Sequence, residues 1–559
     1  MKIRAVVILR MAVCAFMLNF GGMIGSVSLV MAADASFHGL VTDTEGKPIR
    51  GAAVSAVSGS KSIGRFTDNN GHYEIAGLQP GIFEVSVTAF GYARKSETRD
   101  AGKSGETNFA LLPRPDSIQV SMAELLTYFP DNGETRFLVT SCETCHNLLL
   151  PRSMRGMVAS EWQNKIREMR AKSIAGTGLN PTFTDAQLEY AGRLLEKYFG
   201  PDSPEVTAKM VKHVEPSEAA LEATFYEYKL PAAFGLPHSI AADNHGNGWF
   251  AEYSFSANKF GKLNFATGEI TEYPAPMPKA APHSPLIDKD GRVWMPFANA
   301  KRLSYLDMET GKVTTIADPS PGAHTLAFDK DGNIWGSGGK GVYKFDKETQ
   351  KFREYPGPVP KVLPEESNIA WRRAPGEPPP AAIYGGSYDV AVDSKNKVWY
   401  TQNGLGILVS LDQKTGQQQA HKIPGVPTSR GVTVDSKDNI WYSGWDGHKI
   451  VKFDQRTGQA KLYQPPTPFA TPYGLVFDKN GILWFADYQG NNITRFDPGT
   501  EQFTEYPIPT YNAMPRFISV DDQGLVWFCE WWQSKVGVLV PGGNKPADKP
   551  SGAVASSGR

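Results

Sequence analysis

Between residues 36 and 113 apolar and polar side chains alternate, as in Tyr73 and Ile75 or Phe83, Val85 and Val87, and clusters such as Asp68-Asn69-Asn70-Gly71 and Gln79-Pro80-Gly81 interrupt the runs. Period-two alternation between turn signals predicts short antiparallel strands packed as a small β-sandwich. From 117 to 200 the period lengthens. Trp162, Ile166 and Met169 recur at i, i+4 and i+7, and Leu188, Ala191, Leu194, Leu195 and Tyr198 mark a closing helix behind Thr184 and Asp185, whose side chains can cap it. From 224 to 541 the chain repeats itself: Trp249, Trp294, Trp335, Trp399, Trp441, Trp484 and Trp527 each close a turn of the Asp-x-x-Gly-x-apolar-Trp kind, 41 to 45 residues apart with one gap of 64. Seven such units, each with four strand-like runs, predict a seven-bladed β-propeller.

The seventh unit ends after Val536-Gly537-Val538-Leu539 without an outer strand, while an orphan strand from Thr224 to Leu230 precedes the first unit. Its spelling matches Thr504-Glu505-Tyr506-Pro507, so it is expected to complete the last blade and remove the open sheet edge. The long gap holds a proline-rich insert at 356 to 386, placed to emerge on the rim where the inner strands begin. The fold class is therefore mainly β and multidomain: a sandwich at 36–113, a small all-α domain at 117–200, the propeller at 224–541 and a Gly/Pro/Ser/Ala-rich tail at 542–559 expected to be disordered.

Residues 1–33 carry Lys2, Arg4 and Arg10, an apolar run from Met11 to Met31, and small residues at Ala32-Ala33, which reads as a secretory signal peptide. No second apolar run of spanning length follows, so the mature chain is expected to be periplasmic or secreted with no membrane span. Lys+Arg and Asp+Glu balance at 58 each, which offers nucleic acid no electrostatic footprint.

Against this background Cys142-Glu143-Thr144-Cys145-His146 stands out. The C-x-x-C-H spacing is the attachment signature of c-type haem, two thiols bonding the porphyrin while the adjacent imidazole reaches the iron. With the signal removed, Cys142, Cys145 and Cys529 remain, and Cys529 reads as an inert thiol in an apolar strand. Met169, Met157 and Met154 compete for the sixth iron position, Met169 being favoured.

The start of each blade's inner strand and the end of its second strand open on one rim. The starts read His238, His283, His324, Tyr388, Arg430, Tyr473 and Arg516; the ends include Glu252, Gln402, Asp487 and Glu530. Such a ring suits a binding funnel, and its histidines can hold a divalent metal or polarise an organic substrate.

Three resemblances carry further expectations. Gly39-Leu40-Val41-Thr42-Asp43, Gly46-Lys47-Pro48 and Thr67 to Tyr73 resemble the carboxypeptidase regulatory-like domain, which implies an accessory sandwich. Trp162, Ile166, Met169, Leu188 and Tyr198-Phe199-Gly200 resemble the short cytochrome domains of quinohaemoproteins, in which the methionine after the tryptophan binds iron. Pro237-His238-Ser239-Ile240 with Trp249-Phe250-Ala251-Glu252 resembles the virginiamycin B lyase family, whose histidine acts as general base beside a Mg²⁺ held by two glutamates. His238 and Glu252 match the base and the distal glutamate. The proximal glutamate is replaced by Leu236, with Ala281 and Gly322 at the same place in the next two blades, and Arg516 stands where the preceding blade's histidine is expected.

The resulting expectation is a periplasmic c-type haem oxidoreductase or electron-transfer component whose propeller binds a small organic substrate or a redox partner protein. Two alternatives stand beside it: a metal-dependent carbon-oxygen lyase using His238, Glu252, His283 and His324, and a non-catalytic carbohydrate- or protein-binding scaffold.

Overall fold

The computed structural model describes residues 35–103, 105–114, 119–143, 146–171, 183–380 and 386–543. The expected signal peptide, Cys145 and nearly all of the C-terminal tail lie outside the described residues.

Alternation between 36 and 113 produces two layers. Strands His72–Leu78, Ala35–Asp43 and Phe109–Leu111 form one, and Lys61–Phe66, Ala53–Ser58, Ile82–Thr88 and Lys95–Asp100 form the other. Their inner faces bury Phe37, Val54, Tyr73, Ile75, Val85 and Val87 as a separate core. The helical module follows, with Gly133–Cys142, Ala159–Ala171 and Asp185–Phe199 packed around Phe137, Trp162, Ile166, Leu188 and Leu195. Its last helix opens with a capping box in which Thr184 and Gln187 satisfy each other's backbone N–H groups. Among the described residues no helix is long and apolar enough to cross a membrane.

Six four-stranded antiparallel sheets run from Pro237 to Pro507, and a seventh begins with Pro515–Val520, Val526–Glu530 and Lys535–Val540. Each blade is pinned by one recurring bond. The indole N–H of the signature tryptophan donates to an aspartate six residues earlier, from Asp243 and Trp249 at 3.1 Å to Asp521 and Trp527 at 2.9 Å. The other carboxylate oxygen of Asp521 accepts the backbone N–H groups of Gln523 and Leu525, so one side chain shapes the turn and fixes the buried ring. This explains why the repeat is spelled with an aspartate and a tryptophan at constant separation.

Strand Thr224–Lys229 closes the seventh blade, pairing antiparallel with Lys535–Val540 from Thr224 opposite Val540 to Lys229 opposite Lys535. Its other edge pairs with the sandwich strand Lys61–Phe66, Tyr226 lying opposite Ile63. One eight-stranded sheet therefore runs from the propeller axis to the far edge of the sandwich. The sandwich is built into the last blade, where its resemblance had implied only an accessory.

The helical module docks on the propeller. Asn147 donates to Asn512 at 2.7 Å, the Ala123 N–H donates to Gln489 O at 3.0 Å, and Arg372 of the insert donates to Thr140 O at 2.6 Å. The insert also reaches the last helix, where Thr184 and Gln187 donate to Glu377 at 2.8 and 3.1 Å.

Candidate functional site

Several inner strands are entered through a residue in the left-handed region: Leu236 at φ 51°, Ala281 at 54°, Gly322 at 84° and Met514 at 54°. A left-handed residue turns the backbone sharply. The side chain two positions on, His238, His283, His324 or Arg516, then faces the axis. All seven start positions line one cavity of about 650 Å³.

The strand ends behave differently. Glu252 sits opposite Pro237, Gln402 opposite Ser387, Asp487 opposite Pro472 and Glu530 opposite Pro515, in each case the residue before the start position. Cross-strand partners share a face, and neighbours along a strand do not. Glu252, Asp487 and Glu530 accordingly turn away from the funnel, contrary to the expectation from the sequence, and are buried inside the blades. Burial and Glu272 push the Glu252 carboxyl up; burial and Glu227 do the same to Glu530, and burial with Glu505 raises Asp487 to about 7. Gln402 donates to Pro358 O at 2.9 Å, at the root of the insert. The next residues, Tyr253, Asn403, Tyr488 and Trp531, are the ones that return to the cavity, and Trp445 follows Gly444 in the same way. Counting register from the start residue, instead of marking the last polar residue of the strand, would have found them.

His238, His283 and His324 come together. Their ring centroids lie 3.9, 3.8 and 4.9 Å apart, and one ring nitrogen from each falls within 4.8 Å of the others. Ser239 bonds His238 Nδ1 at 2.9 Å, Ser284 bonds His283 Nδ1 at 3.3 Å, and the two hydroxyls bond each other at 2.9 Å. Burial holds all three imidazoles below their ordinary value, His283 at about 3 with Arg516 adding to the effect, so they are neutral at neutral pH. Opposite them, the Arg430 guanidinium lies 4.6 Å over Tyr388 and 4.5 Å over Trp445, and that of Arg516 lies 3.6 Å over Trp531. Arg430 also acts electrostatically on the Glu143 carboxyl, which shares the chamber wall. The Tyr388 and Tyr473 hydroxyls bond each other, and Tyr473 OH is 3.4 Å from His238 Nε2. The chamber thus joins aromatic walls, two cations and a cluster of neutral imidazoles.

Its outer wall belongs to other parts of the chain. The insert contributes Asn368, Ile369, Arg372 and Arg373, and the helical module contributes Glu143, Thr184 and Gln187. Glu143 stands next to Cys142 in the C-x-x-C-H motif. Its carboxylate accepts from Trp445 Nε1 at 2.8 Å, Asn368 at 3.3 Å and Gln489 at 3.4 Å, and its backbone carbonyl accepts from the Tyr488 hydroxyl at 3.2 Å. The C-x-x-C-H spacing leaves the Glu143 position unspecified, and a buried acidic residue has no local signature in a helical pattern.

On the far side of Glu143, Cys142, His146, Met154, Trp162, Ile166 and Met169 line a mostly apolar slot. Met157 packs on the module's core outside that slot. His146 is buried, and its Nδ1 bonds Asn147 O at 2.9 Å, leaving Nε2 as the nitrogen able to bind a metal. Among the described residues, Trp162 Nε1 is buried without a hydrogen-bond partner. Cys529 is fully buried in the seventh blade and its thiol is pushed up by burial, as its apolar strand implied.

Residues 36–112 match the carboxypeptidase regulatory-like domain family, and residues 380–547 match the virginiamycin B lyase family. Among solved structures, a streptogramin B lyase is 24% identical over 58% of this chain and 100% of its own, with a TM-score of 0.49. Virginiamycin B lyase from Staphylococcus aureus is 24% identical over 57% of this chain and 99% of its own, with a TM-score of 0.47. No curated protein matches the chain. The sandwich and the lyase-like propeller thus have family support; neither match extends into the helical module.

Proposed function

We propose that the chain is an exported c-type haem protein, an electron-transfer or oxidoreductase component whose propeller chamber receives a small organic molecule or a group on a redox partner. The observation that carries this reading is Glu143. It is covalently next to Cys142, yet it forms part of the chamber wall and accepts the Trp445 indole N–H. Whatever occupies the chamber is therefore separated from the attachment motif by one side chain.

The residues of the slot suit haem c. Cys142 with Cys145 would hold it, and His146 would bind iron through Nε2, its Nδ1 being held by Asn147 O. Met169 would take the sixth position, with Met154 on the same slot as the alternative. The orphaned Trp162 N–H fits a group that carries carboxylates, as haem does. When bound, the haem supplies one-electron chemistry. The chain's own part is to exclude water from the slot with Trp162, Ile166 and Leu195, to fix the His146 tautomer, and to keep motif and chamber in register through Glu143, Asn147 and Ala123.

Expression with a c-haem maturation system tests this. One covalently bound haem per chain is expected, absent from the double variant C142S/C145S, and M169A is expected to lower the reduction potential. A wild-type protein with no covalent haem under those conditions would remove the reading.

A second reading, a metal-dependent lyase with His238 as base, draws support from the family match over 380–547 and from the place of His238 in the chamber. Its weakness lies in the carboxylates, since Leu236 replaces one and Glu252 faces away from the funnel. Turnover by the C142S/C145S variant, lost on H238A substitution, would favour it; a scaffold would show neither haem reduction nor turnover.

A further inference from the structure

We propose that His238, His283 and His324 form a three-histidine site for a borderline divalent ion of the zinc and copper class, with its open coordination position facing the chamber. Three neighbouring blades supply one ligand each, and the left-handed residues Leu236, Ala281 and Gly322 aim all three at one point. Ligand nitrogens within 4.8 Å of one another are near a tetrahedral set, in which metal–nitrogen bonds of 2.0–2.1 Å put them about 3.4 Å apart.

The surroundings favour a ligand role over mere packing. The Ser239–Ser284 hydroxyl pair holds Nδ1 of His238 and of His283, which orients the rings as second-sphere partners of metal-binding histidines do. Among the described residues, His324 Nδ1 is a buried atom with no hydrogen-bond partner.

The donor set also selects the ion. Mg²⁺ and Ca²⁺ need oxygen ligands, and Glu252, Asp487 and Glu530 turn away from the cluster; a purely imidazole set suits zinc, copper, nickel or iron. Three protein ligands leave a position for an exogenous one, as in catalytic rather than structural sites. Arg430 and Arg516 place positive charge beside it, so the fourth ligand is an anion: hydroxide, or the carboxylate, phenolate or enolate oxygen of an organic molecule. This assignment is independent of the haem and holds if the attachment motif proves empty.

The test uses the full-length haem-loaded protein stripped with a chelator, titrated with Zn²⁺ and with Cu²⁺ by calorimetry and counted by elemental analysis, haem iron being quantified separately. One ion per chain is expected, with no detectable Mg²⁺ binding. H238A/H283A should weaken Zn²⁺ binding at least 100-fold, while H245A, in an exposed turn, should leave it unchanged. Should the double variant fail to fold, H324A keeps two ligands and should weaken binding at least tenfold. No ion beyond haem iron, equal Mg²⁺ and Zn²⁺ affinity, or unaltered affinity in a folded histidine variant would each overturn the proposal.

Discussion

Replacing Glu143 by alanine tests the junction between motif and propeller. The carboxylate accepts one short bond, from Trp445 Nε1 at 2.8 Å, and two long ones, from Asn368 and Gln489 at 3.3 and 3.4 Å. Asn368 keeps a second acceptor, Asp446 at 3.0 Å, so its loss is small. Trp445 has no such reserve and is 1% exposed. Orphaning a buried donor costs about 1–3 kcal/mol, and the two weaker bonds add less than about 1 kcal/mol together. Relief of a carboxylate disfavoured by burial and by Asp446 offsets part of this. A net loss of about 1–3 kcal/mol in docking the helical module corresponds to about a 5- to 150-fold rise in its open population. Native-state proteolysis reads that population directly when reclosing outpaces cleavage. Cuts within 119–200 should accelerate by that factor, with propeller cleavage unchanged. E143Q keeps a carbonyl oxygen for Trp445 and should stay within about fivefold of wild type. If E143A cleaves within twofold of wild type, or if E143Q matches E143A, the Trp445 bond does not hold the module.

Two further outcomes are expected. The folded-state value of His283 lies at about 3, against about 6.5 unfolded, so the unfolded chain binds the extra proton between those limits; its stabilisation is complete above about pH 6.5 and is lost as pH falls toward 3. The raised carboxyls act in the opposite sense, so the check is the difference in urea stability between wild type and H283Q under chelator, which should shrink with acidification below pH 6.5; a pH-independent difference would refute it. Tyr226 pairs on both edges of its strand, with Val538 and with Ile63, and Y226P should cost about 3 kcal/mol or more and lower the calorimetric transitions of sandwich and propeller together. A shift confined to one of them would show that the shared strand does not couple the two.

Much of the architecture was legible because it is periodic. The aspartate–tryptophan spacing encodes a bond made in every blade, and the spelling of Thr224 to Leu230 announced its place in the seventh. The seven start positions could be read for the same reason, each following the same turn. Features that depend on a one-residue register were not legible: Glu252, Asp487 and Glu530 look like the tips of their strands but pair with the residue before the start position, and Tyr253, Tyr488 and Trp531 take the chamber face instead. Contacts between modules left no pattern at all. Glu143 and Asn368 are joined by a side-chain bond across the chain's folding, and nothing near either residue in the sequence refers to the other.

The double pairing of Thr224–Lys229 bears on the order in which the chain can be assembled. Its blade partner, Lys535–Val540, follows the six other blades in the sequence, so the propeller ring cannot shut until that strand has been made. The sandwich edge at Lys61–Gly64 is available far earlier. A strand laid on that edge is already extended and in register when its second partner arrives, which lowers the entropy lost on closing so long a loop and keeps an unpaired edge from recruiting another chain. The N-terminal sandwich is, in this sense, a resident folding template for the ring that follows it.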